Sequence, residues 1–505
     1  MSIDLHTSRR HIMAGLAGCS LNVLSSPVVA HTHHHGFASK VIKLDPLLAD
    51  IHKRTFFYFW ETAHPVTGLS PDNWPNPKFC SIAATGFALS SYCIGVHSGY
   101  VTREAAVQKT LTVLRLLRDG PQHKGSQNVM GYKGFFYHFL QMDTGLRYKD
   151  CELSSVDTAL LICGVLTAAA FFDGHNSDEA EIRSAAMSLY QRIDWTFMAR
   201  DNGLISMGWH PETVVDGKDE TGLNKRSWDR YNEGKMVYLL GLGSPTHPLP
   251  AKSWANWAAT IEPTYGPNYG QPHIGFSPMF GHQYSEVWFD LRGMADATMR
   301  KYHLDYFTNS VRATLAQRNY AIKNPAGFKG YSQDIWGLTA SRGPGEVSAD
   351  IGGHRVEFHE YGARGPQTGD GESFDDGTIA PTAMLGSIAF APDYVIPSVH
   401  ALQKNYGKAI YGPYGFYDAF NPSFAQNLPS KSGHWTSQAG WVSKEYLGID
   451  QGPILTMMEN YRSGLIWTLF CKSKVTGPIV RKALLSAGFE PISQYGQWIK
   501  APPIN

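Results

Sequence analysis

The sequence is poor in charge, in cysteine and in long apolar runs. Only 17% of its 505 residues are charged, against roughly 25% in an average globular domain, so neither a disordered chain nor a solvated coiled coil is expected. Its 44 basic and 43 acidic residues nearly cancel, leaving a formal charge of +1. That balance supplies no electrostatic footprint for nucleic acid or an anionic membrane surface. The six cysteines, at 19, 80, 93, 151, 163 and 471, are widely spaced and include no pair at zinc-ligand spacing. They predict buried thiols, not a disulfide framework or a metal centre. Beyond the N-terminal segment no apolar run reaches the roughly 20 residues of a membrane span. What is plentiful is glycine, 50 residues, with 13 Trp, 25 Tyr and 25 Phe, a mixture suited to aromatic-lined loops over a ligand groove.

Ser8-Arg9-Arg10-His11 opens an uncharged, small-residue run from Ile12 to Ala30. This predicts a twin-arginine export signal over residues 1–30, cleaved after Ala30, and a periplasmic or secreted protein. Two other readings stay open: a buried first helix, and a lipoprotein box, Leu16-Ala17-Gly18-Cys19, that would anchor the chain at Cys19. Residues 31–42, with His31, His33, His34 and His35, read as a solvated tail. One domain is expected over 43–490, then a C-terminal tail over 491–505. A monomer is expected.

From residue 41 onward amphipathic helices alternate with helices that are apolar on nearly every face. The amphipathic set covers 46–62, 103–118, 178–199, 251–260, 305–323 and 394–406, and the apolar set covers 81–95, 157–172, 233–242, 285–298, 381–390 and 451–470. A helix hydrophobic all round must be covered on all sides. Six covered and six covering helices predict an all-α (α/α)6 barrel in one domain. Loops leading into the apolar helices are long and rich in Gly and aromatics, which marks one rim as functional. Residues 134–146 alternate aromatic and polar side chains and predict a short β-hairpin in that rim.

The same loops deliver acids to the starts of the apolar helices: Glu152 and Asp157, Glu233, Asp375 and Asp376, and Asp450, with Asp418 inside a loop. Helix capping alone would account for some of them, Asp157 and Asp450 above all. Glu233 follows Trp228, Tyr231 and Asn232, while Asp418 stands among Tyr411, Tyr414, Phe416, Tyr417 and Phe420. An acid crowded by aromatic rings loses water, its pKa rises, and it becomes a proton donor near neutrality. Paired carboxyls beside aromatic faces suggest glycosidic cleavage. No GxSxG elbow and no phosphate-binding glycine loop stands in the required context. His282 reads as a core or groove histidine. No metal and no cofactor is expected.

The runs GYKGFFYHFLQMDTGLR, ELSSVDTALL, YNEGKMVYLLGLGSPTHPLP, FGHQYSEVWFDLRG, DDGTIAPTA, GPYGFYDAFN and YLGIDQGPILTMMENYRSGL resemble the glycoamylase-like domain family, which includes bacterial endo-β-1,2-glucanases. The resemblance spans about Leu44 to Phe489. It implies an (α/α)6 barrel and inverting hydrolysis of β-1,2-glucan, with the glucan chain as partner. It also implies Glu233 as general acid and Asp418 as general base, acting on water directly or through a substrate hydroxyl. Asp157, Asp376 and Asp450 would hold sugar hydroxyls or orient that pair, and Tyr231, Gln283, Trp336, Arg364 and Tyr414 would contact sugar. The chain departs from the family pattern at Glu286, where a histidine often stands, so Glu286 is a further subsite candidate. The charged loop 212–226 reads as an insertion beside Glu233. A non-catalytic glycan-binding or glucan-biosynthesis accessory protein, and a hydrolase or lyase of another polysaccharide, remain as alternatives.

Overall fold

The computed structural model describes residues 41–212, 222–351, 353–366 and 374–492. The expected export signal, the His-rich tail up to residue 40, the C-terminal tail from 493 and most of the charged loop lie outside these residues.

The chain is helix-rich, and the apolar helices are buried as their composition demands. In Ser155–Phe171 every residue but Phe171 is buried, and Lys235–Gly243 is buried throughout. Ile82–His97 is buried from Ile82 to Gly95. By contrast Pro46–Thr62, Arg103–Asp119 and Ser177–Gln191 each bury one stripe and wet the other. Side-chain caps start several of these helices: Ser81 accepts from the Ala84 amide, Thr102 from Ala105 and Asn176 from Glu179. Such caps satisfy amides that have no partner inside the helix.

Two buried helices, Ile82–His97 and Ser155–Phe171, meet backbone to backbone. A Cβ at Gly164 would stand 1.9 Å from the Gly86 carbonyl oxygen, and one at Gly86 2.3 Å from that of Leu160. The glycine surplus therefore serves the core as well as the rim.

Several expectations need correction, among them the helix expected over 381–390, which is Pro381–Leu385, and the one over 178–199, which is Ser177–Gln191. The helix expected over 285–298 is Phe280–Trp288, followed by an irregular stretch and the short Ala297–Lys301. The one expected over 451–470 is divided at Gly464, which has φ 68°, into Gly448–Arg462 and Leu465–Lys472. The hairpin expected over 134–146 is present as a tight turn, with the Gln141 amide donating to the Leu146 carbonyl at 2.7 Å and Leu140 bridged antiparallel to Arg147, but most of the segment pairs elsewhere. Phe135–Tyr137 instead sits in a five-stranded antiparallel sheet with Gly131–Tyr132, Leu153–Ser154, Gly208–His210 and Gly222–Leu223, while Phe139–Leu140 pairs with Cys80–Ser81. The chain is thus less purely helical than expected, because short strands tie the starts of the buried helices together. Asn73–Trp74 pairs with Tyr446–Leu447, and the Gly448 amide donates to the Asp72 carbonyl at 2.9 Å.

The described cysteines 80, 93, 151, 163 and 471 are free. No described helix is long and apolar enough to cross a membrane.

Candidate active site

The strand ties bring acids from distant parts of the chain to the starts of the buried helices. Asp157 lies in the first turn of Ser155–Phe171, where its amide takes the Ser154 hydroxyl as cap at 3.2 Å and its Oδ2 accepts from that hydroxyl at 2.5 Å. Capping is therefore part of its role. Its other oxygen faces His138 Nε2 at 3.5 Å, and His138 Nδ1 meets Glu152 at 2.7 Å. Burial works to lower the imidazole pKa, but Asp157, Glu152 and Asp72 outweigh it and push His138 up to about 9. Ligand atoms of His138, Glu152 and Asp157 lie within 4.8 Å of one another, which is metal-site spacing. The imidazolium supplies the positive charge between the two carboxylates, a place that a metal ion would take only by displacing its proton.

Glu233 stands just before Lys235–Gly243. Trp228 is packed against Gly234, whose missing side chain admits the ring, and donates its indole N–H to Ser155 at 2.8 Å. The Glu233 carbonyl accepts from Ser285 at 3.3 Å. Its carboxyl, in contrast, has a buried Oε2 with no hydrogen-bond partner. Burial, reinforced by Asp157, pushes its pKa up to about 7.

Asp418 is buried and differently held. Its Oδ2 accepts the Arg342 amide at 2.7 Å, and its neighbour is the carboxyl of Asp450. Burial raises both pKa values. The hydrogen bond between the carboxyls works against that rise for Asp418 and adds to it for Asp450, so the two share a proton. Tyr284 stands within electrostatic reach of Asp450, Glu233 and Asp157, so the two halves of the cluster share a wall.

Several residues of this site were not singled out from sequence. Asp72, pushed up to about 6 by burial, couples to His138, Arg342, Asp157 and Asp418. Arg342 pairs with Glu445 at 2.9 Å. Tyr361, directly across a strand pair from Arg342, is 50% exposed beside Asp450, Asp418 and Asp72. A cavity of about 290 Å³ lined by Asn73, Lys78, Arg342, Glu360 and Glu445 continues from this edge.

Other expected sugar contacts face inward. Arg364 is fully buried, holds Asp376 through two bonds of 2.7 and 2.8 Å and donates to the carbonyls of Ser341 and His359. Arg364 and Asp376 therefore brace the loop beneath Asp418. Gln283 is buried against Ala383 and Ser387, and Trp336 donates to Ser398. Tyr231 is stacked on His282, and Glu286 is ion-paired with Lys235 inside the core. All six side chains are fully buried and turned to these protein partners. Tyr414 is partly exposed, but its hydroxyl is turned to Glu61 and its ring to Tyr58 and Tyr446, one ring removed from Asp450.

A helix-rich domain with a carboxyl cluster at the starts of its buried helices is the class to which these features point. The chain belongs to the glycoamylase-like family. The Glycoamylase family model, whose description is that of a provisional glucoamylase, matches residues 225–474 and so takes in Glu233, Asp418 and Asp450. A Bacteroides uniformis protein with a provisional glucoamylase name has a solved structure that is 30% identical. It aligns over 90% of this chain and 99% of its own, with a TM-score of 0.73. An endo-β-1,2-glucanase of Chitinophaga pinensis, solved with sophorotriose and glucose, is 26% identical over 90% of this chain and 100% of its own, with a TM-score of 0.72. An exo-β-1,2-glucooligosaccharide sophorohydrolase of Parabacteroides distasonis is 27% identical over 472 residues, 87% of this chain. This chain spans 57% of the length of that relative.

Proposed function

We propose that the chain is a glycoside hydrolase that cleaves β-1,2-glucan by inversion, with Glu233 as general acid and Asp418 as general base. The observation that carries this reading is the different hold on the two carboxyls. Glu233 keeps its proton to about pH 7 with no partner on its buried Oε2, as an acid must when it protonates a leaving oxygen. Asp418 takes the Arg342 amide on Oδ2 and shares a proton with Asp450, and these two contacts favour its charged form, which a base that takes a proton from water requires. Environments that push two carboxyls to different states define acid and base. Asp157 and Tyr361 hold and stack the sugar units on either side, and His138 fixes Asp157. The named activities of the Chitinophaga and Parabacteroides relatives support the linkage.

The buried helices, alternating with one-sided ones, form the inner ring of an (α/α)6 barrel in this proposal, with the carboxyl cluster at one mouth. The chain works outside the cytoplasm after loss of residues 1–30, which sequencing the N-terminus of the exported protein would test. The activity is tested by incubating the purified protein with linear β-1,2-glucan, laminarin, barley β-glucan and starch, and measuring new reducing ends. Product from β-1,2-glucan, with Glu233→Gln and Asp418→Asn each slower by about 10²-fold or more, is expected. Product from starch alone would replace the linkage, and binding without product would make the chain an accessory glycan-binding protein.

A further inference from the structure

A second pocket, of about 360 Å³, lies at the foot of the Phe280–Trp288 helix, and none of the clustered carboxyls lines it. Its volume is that of a small-molecule site. No Asp, Glu, Lys or Arg lines it. The wall carries the rings of Tyr265, Tyr269 and Phe276 and the amides of Asn268 and Gln317, while Ala313 and Ala316 of the Tyr306–Lys323 helix keep it open. The two lining histidines are also uncharged near neutrality: burial pushes His273 down to about 4 and His282 further below its ordinary value.

The backbone here is held in an unusual shape. Asn268, Tyr269 and Gly270 have consecutive positive φ values of 21°, 54° and 80°. Non-glycine residues rarely adopt such angles, and they persist where surrounding structure enforces them, often at ligand clamps. Part of that enforcement is local, since Asn268 Nδ2 donates to the His273 carbonyl at 3.2 Å. The Tyr265 ring is stacked on Tyr302 at 4.1 Å, which fixes its plane.

The pocket and the carboxyl cluster are joined by aromatic rings. Phe276 meets Phe280 at 5.4 Å, and Phe280 meets Tyr284, the wall shared by Glu233 and Asp450, at 5.4 Å. Aromatic rings and amide groups match a neutral carbohydrate, whose apolar CH faces and hydroxyls need both; a charge does reach one of these rings, Lys323, which lies over Tyr269 at 5.5 Å.

We infer that this pocket is a distal carbohydrate site that holds one end of the glucan chain while another stretch lies over the carboxyls. The choice of β-1,2-glucan rests on the proposed function; the neutral-carbohydrate assignment rests on the pocket itself. A chain that occupies both places gains contacts that a disaccharide seated in one of them lacks, so the site makes the protein favour long chains over short ones.

The test is calorimetric titration of the full chain, with Glu233→Gln present to halt turnover. Long β-1,2-linked gluco-oligosaccharides are compared with the disaccharide, with and without Tyr269→Ala or the pocket-filling Ala316→Phe. Each substitution should weaken long-chain binding by about fivefold to tenfold, as loss of one aromatic contact does, and should shrink the preference for long chains. Tyr269 lies on a surface loop, so its variant decides the matter if Ala316→Phe does not fold. Unaltered long-chain affinity in Tyr269→Ala, or no binding by the parent protein, overturns the proposal. Pocket-dependent binding by a protein that hydrolyses no glucan would instead keep the pocket and overturn the proposed activity.

Discussion

Replacing Glu233 by Gln should make the protein more stable above neutral pH while it loses activity. The folded protein raises this carboxyl from 4.5 to about 7, so ionised Glu233 is a cost that the unfolded chain does not bear. Below pH 4.5 the group is protonated in both states and contributes nothing. Between 4.5 and 7 the unfolded chain ionises and the folded one does not, so stability falls as pH rises; above 7 the whole cost is present. A rise of this size corresponds to about 3 kcal/mol, reduced to about 2 kcal/mol for a carboxyl that retains some contact with solvent. The Gln side chain carries no such cost. For a chain of this length the difference is on the order of 2 °C in Tm. Thermal unfolding of both proteins at pH 4.5 and pH 8 reads it directly: near-equal Tm at pH 4.5, and a higher Tm for the Glu233→Gln variant at pH 8. Equal Tm differences at the two pH values would refute the assignment of Glu233 as a proton-holding buried acid.

Gly164→Ala should destabilise despite the better helix propensity of alanine, worth about 1 kcal/mol. The new Cβ meets Gly86 backbone at 1.9 Å, and overpacking costs about 1–3 kcal/mol; a raised Tm would contradict the close helix contact. Arg364→Met leaves Asp376 buried and unpaired, a loss of about 3–5 kcal/mol. A variant with normal Tm but a raised KM would return Arg364 to the sugar groove. Tyr361→Ala should raise KM by about fivefold to tenfold with a smaller effect on kcat, as expected for a lost stacking face, and an unchanged KM would remove Tyr361 from the groove. Chelator should leave the rate unchanged, since His138 is protonated up to about pH 9; a rate that vanishes with chelator and returns with zinc or calcium would make His138, Glu152 and Asp157 a metal site.

Much of the fold was legible because burial on every face leaves a compositional trace: Ser155–Phe171 and Lys235–Gly243 contain almost no residue that water would favour. The break at Gly464 was readable in principle from Ser463-Gly464. The strand ties were not, since two-residue strands such as Asn73–Trp74 and Tyr446–Leu447 have no periodicity to detect. They are what bring Asp72 and His138 into the site, so those residues stayed hidden with them. Candidate acids such as Glu233, Asp418, Asp157 and Asp450 were legible from their aromatic neighbours and their place before apolar helices. Their surroundings were not: from sequence Arg364 and Glu286 look like groove charges, whereas each has a buried partner, Asp376 and Lys235, brought to it by the fold.

Hydrolysis of β-1,2-glucan by Glu233 and Asp418 with inversion leaves a stereochemical signature. Proton NMR of the reducing-end anomer in the first minutes of wild-type hydrolysis tests it most directly. The α-anomer should appear first and mutarotate later. A β-anomer formed first, or no product from β-1,2-glucan at all, would contradict it.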